Sequence, residues 1–157
     1  MNRHTAFAAT IVLMAALCAA PPLSAAAVTI LPATIATPMQ SALHDRYGAE
    51  EAVALQAIVA DWLARSLTAA AASLSDGAPI RIEVSIEDAV PSHPTRHQMQ
   101  QSPGLDPVRS ISLGGARLHA MLRDASGQVL DHVDYDHYAT SLEEVSLSGD
   151  AWGDAMR

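Results

Sequence analysis

The sequence predicts an α+β fold: one long amphipathic helix packed on a small antiparallel sheet of three or four strands, followed by a short C-terminal helix. Three observations carry that expectation. Leu55, Ile58, Val59, Trp62, Leu63 and Leu67 recur at three- and four-residue steps between residues 49 and 72, which gathers them on one face of a helix. Ile80, Ile82, Val84 and Ile86 alternate with Arg81, Glu83, Ser85 and Glu87, the period of a strand that is wet on one side only. Asp124-Ala125-Ser126-Gly127 joins two further extended runs as a hairpin turn, with glycine where a positive φ is favoured.

The chain opens with the order of a cleavable secretory signal, residues 1–26. Arg3 and His4 form a short positive start, and Ala8 to Ala20 form the apolar stretch. Pro21 and Pro22 break it, and Ser24-Ala25-Ala26-Ala27 offers the small residues that signal peptidase reads. The apolar run is about 13 residues, short of the roughly 20 that span a bilayer as a helix. A periplasmic or secreted product follows, with no transmembrane segment in the mature chain. Cys18 is preceded by Leu17, where lipid attachment needs a small residue, so no lipid anchor is expected. Cleavage after Ala26 removes this cysteine. The mature chain then has no thiol, which excludes disulfides, thiolate nucleophiles and cysteine-ligated metals.

The mature part, 27–157, reads as a single α+β domain. Val28 to Thr37 is aliphatic and broken by Pro32, and Pro38 follows it, which suits an edge strand or an extended lead-in. In the helix, Glu50 and Glu51 sit at the start and Arg65 in the second half, as the helix dipole prefers. Trp62 reads as a core anchor, and Asp76-Gly77 ends the segment. From about 90 to 108, Pro91, Pro94, Pro103 and Pro107 punctuate Ser, His, Gln and Gly, and no period survives. A loop of that length tends to be functional or mobile, and it is one of two places to seek a binding surface. Arg109 to Arg123 reads as a second strand in which Gly114-Gly115 forms a β-bulge, because Ile111 and Leu113 stand on one parity and Ala116, Leu118, Ala120 and Leu122 on the other. Gln128 to Ala139 is the third strand. Ser148 or Asp150 caps the closing helix.

Charge excludes several functions. The balance is −8, with 17 carboxylates against 9 cationic residues and no basic stripe, so the footprint of a nucleic-acid binder is missing. Every cation is arginine, so there is no Schiff-base or P-loop lysine. No nucleophile elbow, zinc-protease helix or phosphate loop occurs, and Glu87-Asp88 and Glu143-Glu144 have no glycosidase geometry. The expectation is a protein that is not an enzyme and carries no cofactor.

The second place to look is the third strand, with Asp131, His132, Asp134, Asp136 and His137. Alternation puts His132, Asp134 and Asp136 on one face beside Tyr138. As metal ligands these three are an alternative reading, a divalent-metal site that His93 and His97 complete if the loop folds over. The plainer reading is the wet face of an exposed strand, whose charges also deter aggregation.

Pro103-Gly104-Leu105, Ser110-Ile111-Ser112-Leu113-Gly114-Gly115-Ala116 and Trp152-Gly153-Asp154-Ala155 together resemble a family of uncharacterised exported proteins of Gram-negative bacteria, periplasmic or envelope-lipoprotein-like. The likeness runs from about Tyr47 to Arg157. It implies a signal, a helix, a strand with an acidic end, a Pro-rich loop, the Gly-Gly-Ala hairpin and a closing helix, and it assigns no reaction. Leu17 before Cys18 departs from the lipoprotein pattern. The resulting expectation is a non-enzymatic binding or accessory protein of the cell envelope, meeting an envelope protein or a copy of itself at a sheet edge.

Overall fold

A computed structural model describes residues 28–70, 79–145 and 150–156. The signal segment 1–26 with Cys18, residues 71–72, the side chain of Leu67, the Asp76-Gly77 turn and the Ser148 cap lie outside them. The fold is α+β. Among the described residues it has one mixed sheet of five strands, and three helices where one long helix and a short C-terminal one are expected.

The sheet is built around β3 (Ile80–Val90), which pairs antiparallel with β4 (Gly115–Arg123). β4 pairs antiparallel with β5 (Val129–Tyr138), the far edge. On the other side of β3 lie β1 (Val28–Ile30) and β2 (Thr34–Ile35), both parallel to it, with Val28 opposite Ile80 and Ile35 opposite Ile86. An all-antiparallel sheet of three or four strands is therefore corrected to a mixed one of five. The physical reason is Pro32, which falls between β1 and β2 and divides one edge into two short strands. On either side of it Leu31 N–H donates to Ile82 at 3.0 Å and Ala36 N–H to Ile86 at 3.0 Å. Parallel pairing needs a long crossover, and the helical segment between β2 and β3 supplies it.

That crossover has three pieces. α1 (Thr37–Ala42) starts with proline in its first turn, where the missing N–H costs nothing. A π-helical turn, Leu43–Tyr47, follows and stops at Gly48, whose φ of 104° is open to glycine and whose N–H returns to the Leu43 carbonyl at 2.7 Å. α2 (Glu51–Ala70) then lays Leu55, Val59 and Leu63 on Ile80, Ile82, Val84, Ile86 and Leu118, and all eight are buried. Trp62 is only half-buried, against Tyr135 with ring centroids 5.1 Å apart. The anchoring tryptophan is instead Trp152, 1% exposed, edge-on to Tyr47 at 5.6 Å and donating from Nε1 to Glu51 at 3.0 Å.

Two further expectations are corrected. Residues 151–156 form turns, not a helix. Asp150 accepts from Trp152 N–H at 3.1 Å, but the backbone bonds that follow, Gly153 N–H to Asp150 at 3.3 Å and Ala155 N–H to Trp152 at 2.9 Å, span three residues, as in successive turns, and not the four of an α-helix. The bulge is not at the glycine pair. Register shifts fall between Ile86 and Asp88 and between Leu122 and Arg123, and Ile111 and Leu113 precede the strand altogether. Gly114 and Gly115 answer a close approach of chains. A Cβ at Gly114 would sit 2.7 Å from Ser92 Cβ, and one at Gly115 would meet the backbone of His137 and Tyr138.

Candidate functional site

β4 and β5 place chemistry on the face of the sheet away from α2. Register stacks Asp88, Arg117 and Asp136 in one row, Ser85, His119 and Asp134 in the next, and Glu83, Met121 and His132 in a third. Within the second row His119 Nδ1 and Asp134 are 2.7 Å apart, and Arg123, two residues along β4 from Met121, donates from Nε to Glu83 at 2.8 Å. Tyr138 donates its hydroxyl to Asp88 at 2.6 Å, while Arg117 stands 3.9 Å from the same carboxylate. The bond from His119 holds the Asp134 carboxyl below its ordinary range, and partial burial followed by the Asp88 contact raises the Tyr138 phenol.

The three residues read as metal ligands, His132, Asp134 and Asp136, do share this face. What the fold brings to Asp134 is His119 from the neighbouring strand, with His132 stacked near it at 6.1 Å between ring centroids. His93 is buried, and His97 contacts Gln101 at 2.7 Å, so neither joins the three. Among the described residues no group of three or more His, Cys, Asp or Glu side chains is placed to hold a metal. Nothing local in the sequence marks His119, Arg117 or Glu83 as site residues. Only the strand register, a pairing over dozens of residues, puts them beside β5.

On the other face, α2 packs on Leu118 of β4 and meets Tyr135 of β5 through Trp62, and leaves the outer part of β5 uncovered. Val133 is 53% exposed there, and a small apolar groove of about 130 Å³ runs between Trp62, Leu118, Leu122, Val133 and Tyr135. Leu130 and Leu142 add exposed aliphatic surface nearby in the chain. The edge beside this strip is unpaired among the described residues.

The Pro-rich segment is the second feature, and it is not structureless. α3 (Arg96–Gln101) is started by a reciprocal cap in which Thr95 Oγ1 accepts from Gln98 N–H and the Gln98 side chain accepts from Thr95 N–H. Thr95 also donates to the Tyr47 carbonyl at 2.6 Å, and Ser92 N–H donates to Ala151 at 2.8 Å. The segment walls a cleft of about 340 Å³ with Arg46, Tyr47, His93, Gln98 and Ser110 among its lining. His93 is 2% exposed, its Nδ1 lies 3.4 Å from Ser92 Oγ, and its Nε2 has no partner among the described residues.

Among the described residues, no helix is long and apolar enough to cross a membrane. Comparison with family models, with curated proteins and with solved structures finds no match to this chain.

Proposed function

We propose that this protein is an exported accessory protein of the cell envelope, periplasmic or secreted, that works by binding a protein partner and not by catalysis. The observation that carries the reading is β5: a ten-residue strand with a free edge, flanked by an apolar strip that α2 leaves uncovered. Unpaired N–H and C=O groups along such an edge are a template for another strand, and adjacent apolar side chains add burial to the pairing. The signal segment and the resemblance to exported Gram-negative proteins support the compartment.

Photo-crosslinking in cells tests it. A photoreactive residue at Val133 is expected to give a discrete protein adduct in the envelope fraction, on a chain whose first residue follows Ala26. The same group at Val53, 73% exposed on the outer side of α2, is expected to give none. Equal labelling from both positions, or none from Val133, removes the proposal.

A further inference from the structure

The partner that β5 fits best is written in β5 itself. We propose that a second copy of this chain pairs with it, β5 against β5 in antiparallel sense, about a two-fold axis at Asp134. This rests on the reading of β5 as the binding edge and names its occupant.

The backbone permits that register. Antiparallel partners alternate between pairs that exchange both hydrogen bonds and pairs that exchange none. Ala139 N–H donates to Gly114 O at 2.8 Å, in step with the β4–β5 register from Gly115–Tyr138 to Leu122–Asp131. The odd-numbered residues of this stretch therefore turn their N–H and C=O toward β4. His132, Asp134, Asp136 and Tyr138 turn theirs to the free edge, where the His132 N–H donates to the Asp131 carboxylate at 2.8 Å and on pairing exchanges that local bond for a carbonyl of the second copy. An axis at Asp134 sets Asp134 opposite Asp134 of the other copy and His132 opposite Asp136, all residues whose backbone groups face outward.

The side chains then match. Asp131-His132-Val133-Asp134-Tyr135-Asp136-His137, laid against its own reverse, places every histidine opposite an aspartate. His132 meets Asp136 on the open face, Asp131 meets His137 on the other, and each pairing occurs twice. Val133 meets Tyr135, also twice, on the side where both now border the apolar groove. The only like-charged pair is Asp134 with itself, and each of those carboxylates is already held by His119 of its own copy at 2.7 Å. A neutral imidazole N–H can donate to carboxylate, so the matching does not depend on histidine being charged. Neighbouring registers fare worse. Moving the axis to Val133 leaves one type of His–Asp pair, and moving it to Tyr135 sets Asp134 against Asp136. An edge guarded against association carries charges that repel a copy of itself. This one carries opposite groups in mirror order.

Sedimentation or light scattering on the exported chain and two variants tests the pairing. In H132D/H137D the four His–Asp pairs become Asp–Asp, and in D131H/D136H they become His–His. The wild type is expected to be a dimer, and each variant alone to associate at least about tenfold more weakly. An equimolar mixture of the two variants restores all four His–Asp pairs and is expected to return the dimer, which also shows that both variants fold. A strictly monomeric wild type, variants that dimerise as well as the wild type, or a mixture that stays monomeric each overturns the proposal. If the wild type is monomeric while Val133 still crosslinks a different envelope protein, self-pairing fails and the binding edge stands. If Val133 crosslinks nothing as well, both fail.

Discussion

His93 shows at residue scale how a polar side chain can be buried without being used. Among the described residues its Nε2 has no partner, and its Nδ1 reaches Ser92 Oγ only at 3.4 Å, with both residues almost fully enclosed. An unpaired buried donor or acceptor costs about 1–3 kcal/mol, whereas replacing both members of a weak pair by apolar groups of similar size is neutral or stabilising. Replacing His93 by Leu alone exchanges one orphan for another, since Ser92 Oγ then loses its contact, and is expected to change stability little. The double variant S92A/H93L is expected to be more stable than the wild type by about 1–2 kcal/mol in urea unfolding. If the double variant is instead destabilised, Nε2 is paired in the folded protein, and the cleft it lines holds that partner.

At the scale of elements, the segment at 90–108 is pinned at several points rather than free, and Thr95 is the most economical of them. One hydroxyl caps α3 and ties it to the Tyr47 carbonyl at the end of the π-turn. Replacing Thr95 by Val keeps the shape and removes both bonds, at an expected cost of about 2 kcal/mol. Hydrogen exchange checks where that cost falls: amides of residues 96–101 are expected to exchange faster, with Val59 and Leu63 in α2 protected as before. Uniform loss of protection across both helices would mean the segment is not a separate unit. The sequence makes β3, β5 and the region of α2 legible because their periods are local, and a side chain two or four residues away reports the same face. It hides α3, because four prolines mask a six-residue helix whose start signal, Thr95 with Gln98, lies between two of them. It misplaces the core tryptophan for a related reason. Trp62 sits in the helical stripe, but Trp152 is buried by Tyr47 and Glu51, about a hundred residues upstream.

For the whole molecule, the parallel pairing of β1 and β2 and the rows across β3, β4 and β5 are products of topology, so no window of residues could announce them. What the sequence does announce is the acidic balance of −8, and the structure shows how some of that charge is held. Among the described residues, four carboxylates are kept below their ordinary pKa by hydrogen bonds. Arg109 and Val108 N–H hold Asp106, and the Ser126 hydroxyl and Gln128 N–H hold Asp124. His119 holds Asp134, and the N–H and hydroxyl of Thr140 hold Glu144. A carboxylate whose folded pKa is depressed binds its proton less readily folded than unfolded. Its contribution is complete above the unfolded value of about 4 and is lost as pH falls through the lower folded value. Acid also relieves repulsion among the remaining negative charges, which works in the opposite direction but is screened at physiological salt. Stability measured by urea unfolding at 0.15 M salt is therefore expected to fall steadily once the pH drops below about 4. Asp124→Ala, which removes the acceptor for Ser126 and Gln128, is expected to be less stable at neutral pH and to show a shallower acid slope. A midpoint that rises between about pH 5 and pH 3 would mean that relief of charge repulsion outweighs these hydrogen bonds, and that the acidic surface is a cost the fold bears for its binding role.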